Sequence, residues 1–229
     1  MELRIISIGV LPFHPLWGER TPVRMGHGTT TLIRTEDRLI LVDPSLPAPV
    51  LTARLQERAN VTPGVITDVF LTSFRPEVRR AISLFEGASW WIGEAERESV
   101  GLALGSRLKQ EAELEDRADK ELIEALSQDV GILQRARPAP DQLAPRIGLF
   151  PMPGVTPGAS GLLIEDARHT TIICGDAIPT VEHLEQGKIL PSAFNLDQAR
   201  ESMAEAVEIA DLLVLGRDNI VVNPTRRPF

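Results

Sequence analysis

A single cysteine, Cys174, stands in the 229 residues, so no internal disulfide can form and a cysteine-cluster zinc site is excluded. Set in TTIICGD, it reads as a small apolar core residue rather than a nucleophile. An excess of positive charge is also missing. Lys and Arg number 24 against 32 Asp and Glu, giving a net charge of -8. That balance argues against non-specific attraction to nucleic acid or an anionic membrane, although a local basic pocket stays open. No run approaches the ~20 apolar residues that a membrane-crossing helix needs. The opening MELRIISIGVLPFHP carries Glu2, no basic leader and no small-residue cleavage site, so it reads as a first strand rather than a signal peptide. A soluble, cytoplasmic protein is expected. Hydrophobic residues at 43% and charged residues at 24% are ordinary for a folded chain and exclude disorder.

Apolar strands ending in polar loops make up most of the rest. LRIISIGVL is a strand, and GTTTLIRTEDRLILVDPS predicts a hairpin turning at 35–37. VLTARLQERA, after Pro47 and Pro49, places Val50, Leu51, Leu55 and Ala59 on one helical face. GVITDVFLTS is a buried strand. A helix is expected next over PEVRRAISLF, with Pro76 in its first turn and Glu77 near its N-terminus, followed by a short strand in ASWWIG. Residues from about 94 to 137 are dense in Glu, Lys, Arg, Ala and Leu. They predict a charged helical insert with a solvated outer face, in two pieces because Gly101 and Gly105 weaken its first half, the second piece near 119–135. After a proline-rich connector, RPAPDQLAP, come a strand and Pro/Gly loop (PRIGLFPMPGVTPG), a hairpin ending in Gly175 and Asp176, and an amphipathic helix with Leu196, Ala199, Met203, Ala206 and Val207 at helical spacing. A last strand, DLLVLGRDNIVV, and an irregular tail, NPTRRPF, complete the chain.

Four polar loops thus follow apolar strands, at 72–78, 154–158, 175–176 and 216–218. In order and context they resemble the metallo-β-lactamase fold superfamily across essentially the whole chain. LILVDPS looks like that family's second-strand I-L-V-D-x-G signature, with Asp43 at the matching position. LTSFRPEV aligns with the metal motif T-H-x-H-x-D-H, and PGVTPGASGLLI with P-G-H-T-P-G-x-x-x-L. TIICGDAI resembles the strand bearing the metal-bridging aspartate, and LLVLGRDNI the final strand with its Gly-His loop. The resemblance implies an α/β fold, a four-layer αβ/βα sandwich of two mixed β-sheets with outer helices, over a single domain spanning 1–229. It also assigns the family's metal-ligand positions to Ser73, Arg75, Glu77, Val78, Val155, Asp176 and Arg217. Only Asp176 keeps the family residue, and Glu77 is one methylene longer than the aspartate it replaces.

A hydrolytic zinc centre needs several imidazoles or carboxylates at roughly 2.0–2.2 Å from each metal, which lowers the pKa of bound water to about 7. Valine cannot ligate, neutral serine ligates poorly, and arginine is a fixed cation that repels a metal. No cofactor is therefore expected, zinc included. Arg75, Arg217, Glu77 and Asp176 should instead meet as an ion-pair cluster, and the leading reading is a catalytically inactive relative of metal-dependent hydrolases. A second reading is a binding module in which Arg75 and Arg217 grip a small anion. A third is a hydrolase with a rebuilt non-zinc centre of Glu77, Asp176 and His27 or His183, against which the neighbouring arginines argue. No nucleic-acid or membrane partner is expected, and assembly through the 94–137 helices is left open.

Of the four histidines, His27 in RMGHGTTT could border the pocket mouth, but a turn histidine between glycines is preferred. His183 in TVEHLEQG could face the pocket, with a surface helix position preferred. His14 and His169 carry no assigned role. Ser73 sits where a strand could present a nucleophile, but no G-x-S-x-G elbow or adjacent base supports it. Trp90 and Trp91 are expected to divide between core and surface, and Asp43 is a candidate for the polar network.

Overall fold

The computed structural model of the protein describes residues 1–114 and 119–225. Two six-stranded mixed sheets lie face to face. The first contains β1 (Glu2–Ser7), β2 (Thr30–Arg34), β3 (Leu39–Val42), β4 (Asp68–Leu71), β5 (Ser89–Ile92) and β6 (Arg137–Pro138), in that spatial order. β1 to β3 run antiparallel, and β3 to β6 run parallel. The second runs β12 (Ile220–Val222), β11 (Leu212–Leu215), β10 (Thr170–Gly175), β9 (Ser160–Glu165), β8 (Ile147–Pro151) and β7 (Gln142–Ala144), with only β10 and β11 parallel.

Strand periodicity builds three apolar layers. Because successive side chains point to opposite faces, Ile33, Ile40, Val42 and Phe70 turn inward. There they meet Ile147, Leu162, Ile164, Ile173 and Val214 of the second sheet. The alternate residues Leu32, Leu41, Val69, Leu71 and Trp90 face outward. They are covered by α1 (Ala48–Ala59), α2 (Glu94–Ala112) and α3 (Lys120–Arg135). On the far side, Ile172, Cys174, Leu213 and Leu215 pack under α4 (Val181–Gln186) and α5 (Leu196–Ile209). Strands buried on both faces therefore read as continuous apolar runs, as LILV and DVFL do. Trp90 joins the helix-facing layer and Trp91 packs against the inter-sheet layer, so the pair divides between two cores rather than between core and surface.

Several sequence expectations give way to tertiary contacts. No α-helix forms over 76–85; turns lead into a 3₁₀ segment at Ile82–Phe85. The bonds a helix would need are taken elsewhere: Ala81 N donates to Pro44 O (2.9 Å), and Glu77 O accepts from Gly28 N (3.4 Å). Arg79 is pulled inward, with Nε on Phe74 O (3.0 Å) and Nη2 on Asp129 Oδ1 (2.7 Å). The charged stretch does form two helices, α2 and α3, the second where the sequence puts it, but α2 itself runs unbroken through Gly101 and Gly105, despite a cost of about 1 kcal/mol for each glycine relative to alanine. A Cβ on Gly101 would sit 3.6 Å from the Leu133 side chain, so the bare backbone there lies close against α3. The strand expected over 65–72 starts at Asp68, after a 3₁₀ turn at Pro63–Val65. The last strand divides into β11 and β12, and the proline-rich connector supplies the edge strands β6 and β7. Of the irregular tail, residues 226–229 lie outside the described residues. No helix among the described residues is long and apolar enough to cross a membrane.

Candidate functional site

The loops after β4, β8, β10 and β11 converge at one end of the two sheets. Ser160 N donates to Thr72 O (2.9 Å), Gly216 N to Ile178 O (3.0 Å) and Arg217 N to Pro179 O (2.7 Å). Two glycines permit this closeness. Gly175 has φ +52°, and a Cβ there would lie 2.6 Å from Thr72 Oγ1; a Cβ on Gly216 would lie 2.2 Å from Gly175 O.

Asp176 and Arg217 occupy the centre, each side chain only 4% exposed. Arg217 Nε donates to Asp176 Oδ1 (2.6 Å) and Nη2 to Oδ2 (2.7 Å), a bidentate fork. Arg75 adds a longer bond from Nη1 to Asp176 Oδ2 (3.2 Å) and another from Nη2 to Val155 O (3.3 Å). Burial by itself would raise the Asp176 carboxyl, but the charge and hydrogen bonds of Arg217, then of Arg75, hold it below the ordinary carboxylate range. Burial opposes the charge on Arg217, and Asp176 overcomes it, with smaller help from Glu77 and Asp43; the guanidinium pKa is raised. Glu77 acts on Arg217 through space, making no ion pair within 4.0 Å among the described residues. The ion-pair cluster is thus Arg75–Asp176–Arg217, and the expected fourth member stands apart.

Asp43 lies beneath this cluster in a left-handed conformation (φ 51°), accepting from Thr72 N (2.9 Å) and Thr72 Oγ1 (2.7 Å). Burial raises its carboxyl to about 7 against those two bonds, and the charge of Asp176 pushes the same way. Val78 and Val155 are buried apolar side chains. Val155 packs with Leu11, Leu190 and Ala199, and the buried Ser73 Oγ finds no partner among the described residues.

A cavity of about 430 Å³ opens above the cluster. Arg75, Glu77, Asp176 and Arg217 line it together with the 11–15 segment, which includes Leu11 and Phe13, and with Leu190, Pro191 and Ser192. His27, His183 and Asp43 do not line it. The His27 ring sits 3.1 Å from Ile8 O, as a turn histidine would. His183 is fully buried in α4 rather than at the surface. A larger groove, about 590 Å³, lies between α2 and α3, lined by Leu102, Leu108, Val130 and Leu133 with Arg97, Glu98 and Gln134.

Two polar networks escape the sequence reading. Glu96, inside the stretch expected to be solvated, is 1% exposed. Its Oε1 accepts from Phe74 N (2.9 Å), and its Oε2 from Thr156 Oγ1 (2.7 Å) and Gly158 N (3.1 Å), tying together two of the converging loops. Its only sequence signal is an acidic residue in the first turn of a helix. The second network centres on Thr180 Oγ1, which donates to Glu182 Oε2 (2.8 Å) and lies 3.1 Å from His14 Nε2 and 2.8 Å from His183 Nδ1. His14 Nε2 also lies 3.4 Å from Glu182 Oε2, so the carboxylate, the hydroxyl and the two rings form one cluster. His14 Nδ1 and His183 Nε2, both buried, have no hydrogen-bond partner among the described residues. Burial, followed by the proximity of His14, lowers the His183 ring to about 4.

This donor set does not fit a metal. The one buried carboxylate at the centre is spent on two guanidiniums, and no group of three or more His, Cys, Asp or Glu among the described residues is placed to hold an ion.

No model of a known protein family matches the sequence, and no curated protein matches it. Solved structures do. A metallo-β-lactamase-type protein of Thermotoga maritima superposes with a TM-score of 0.68 at 18% identity, covering 96% of this chain and 98% of its own. AiiA of B. thuringiensis, with N-decanoyl-L-homoserine bound at its active site, gives 0.62 at 17% identity, over 94% of this chain and 92% of its own. The dizinc quorum-quenching lactonase AidC gives 0.61 at 19%, over 79% and 67%. The chain has the metallo-β-lactamase fold.

Proposed function

We propose that this is a non-hydrolytic protein of the metallo-β-lactamase fold, in which an Arg75–Asp176–Arg217 cluster takes the place of a dimetal centre. The observation that carries the reading is the two-pronged grip of Arg217 on Asp176, at 2.6 and 2.7 Å. Both carboxylate oxygens that could bridge metals are committed to a cation that cannot leave by deprotonation. A metal approaching Asp176 would have to displace the buried Arg217 and face the part-buried Arg75 as well. Without a Lewis acid, water stays un-ionised at neutral pH, so lactone hydrolysis, the activity named for AidC, loses its nucleophile here. The rebuilt centre of Glu77, Asp176 and a histidine has less support, since neither His27 nor His183 lines the cavity with the two carboxylates.

The deciding measurement is elemental analysis of protein purified without chelator or metal-affinity resin, followed by zinc titration in a calorimeter. Substoichiometric metal and no saturable zinc binding are expected. One tightly held zinc per chain, with lactone or ester turnover that chelation abolishes, would overturn the reading.

A further inference from the structure

The two arginines of the cluster are unequally committed. Arg217 is 4% exposed and donates a short bond to each oxygen of Asp176, so these two charges cancel. Arg75 is 24% exposed, lines the cavity, and is tied only by contacts of 3.2 and 3.3 Å, at or beyond the long end of ordinary hydrogen bonds. Its guanidinium therefore carries positive charge and spare N–H groups at the cavity floor. Arg217 Nη1, fully buried, also lacks a partner among the described residues. The walls are of another character: Leu11, Phe13, Leu190 and Pro191 face the same space. Beyond the two wall segments in sequence stand the exposed rings of Trp17 and Phe194, 60% and 72% accessible. An apolar cavity of about 430 Å³ with a few convergent polar groups has the size and make-up of a small-molecule site.

We propose that this cavity binds an amphipathic monocarboxylate, its head on Arg75 and its apolar chain along Leu11, Phe13 and Leu190. The inference rests on the reading that no metal occupies the cluster. Glu77 sets the charge of the ligand. Its carboxylate lines the same cavity without an ion-pair partner within 4.0 Å among the described residues, so it repels each negative charge a ligand brings and penalises dianions such as phosphates and dicarboxylates more than a monocarboxylate that Arg75 can offset. The apolar walls select against short acids, which would leave them wet.

Octanoate is the probe, titrated into chelator-treated protein by calorimetry and thermal shift, with phosphate, butyrate and octan-1-ol alongside. Octanoate should bind saturably and raise the melting temperature, while phosphate should do neither. Butyrate and octanol should each bind at least about tenfold more weakly, through loss of chain burial or of the charge-assisted bond. Arg75→Met should weaken octanoate by about tenfold or more, and Glu77→Gln should relax the exclusion of dianions. Should Arg75→Met fold poorly, Phe13→Ala on the half-buried wall reads the same site and should weaken octanoate but not butyrate. Octanoate affinity unchanged in both Arg75→Met and Phe13→Ala overturns the proposal. Metal-free protein that ignores millimolar octanoate sinks this inference and leaves the preceding reading intact. Octanoate that binds only after zinc is added overturns both.

Discussion

Arg217 and Asp176 come from the turns after two adjacent parallel strands, β11 and β10, and clasp one another with both side chains 4% exposed. The pair closes the floor of the cavity and pins the two loops together. A buried charge is tolerable only while its partner remains, which makes each residue the condition for the other.

Asp176→Ala should therefore be severe. It strands Arg217 without a counter-charge and frees Arg75 from its carboxylate, a loss of about 3–5 kcal/mol by analogy with other broken buried pairs. For a chain of this size each kcal/mol lowers the melting temperature by about 2–4 °C, so a calorimetric scan resolves it easily. The double variant Asp176→Leu, Arg217→Met should recover most of the loss, because an apolar pair of similar volume needs no desolvation. A wild-type melting temperature for Asp176→Ala would show that the clasp is not structural.

Glu96 should rank with Asp176 for stability despite lying outside the ion-pair cluster. Its carboxylate satisfies Phe74 N, Thr156 Oγ1 and Gly158 N at once. Glu96→Ala leaves two buried backbone donors and a hydroxyl without that acceptor, at a cost of about 1–3 kcal/mol for each group left unsatisfied. Glu96→Gln keeps one oxygen acceptor and should lose less. Hydrogen exchange at Phe74 and Gly158 reports the effect locally, and unchanged protection of both amides in Glu96→Ala would contradict the assignment.

What could be read from sequence follows from what each signal depends on. Strand-then-loop order survives divergence because the apolar runs of β3, β4, β10 and β11 are dictated by burial on both faces, and those runs placed Asp43, Asp176 and Arg217 at strand ends. The expected helix over 76–85 was illegible for the opposite reason. Its propensity is real, but Pro44, Gly28 and Asp129 are distant in sequence and take its hydrogen bonds and its Arg79. Glu96 looked like one more charge in a charged stretch, since nothing in the spelling of a helix reveals which glutamate turns inward. His14, Thr180 and His183 form a buried network across 166 residues of sequence, a separation no local pattern reports.

The two shifted groups with opposite slopes give a pH test. Asp43, raised to about 7, binds a proton in the folded state that the unfolded carboxyl releases near pH 4, so it lowers stability as pH rises from about 4 to 7. His183, lowered to about 4, refuses a proton that the unfolded ring accepts near pH 6.5, so it raises stability over nearly the same interval. Each can contribute up to about 1.4 kcal/mol per pH unit, and in the wild type the two contributions largely cancel. Asp176, held below the ordinary range, adds a loss of stability only below about pH 4, where unfolded carboxyls take up protons. Asp43→Asn suits the left-handed backbone, keeps an acceptor for Thr72 N, and should expose the His183 slope, so stability climbs between pH 4.5 and 6.5 (about the titration window of the unfolded ring). His183→Asn keeps a hydrogen-bonding group near Thr180 and should expose the Asp43 slope, so stability falls over that interval. Urea unfolding at several pH values measures both. Parallel profiles for the two variants would remove the assignment of these slopes to Asp43 and His183.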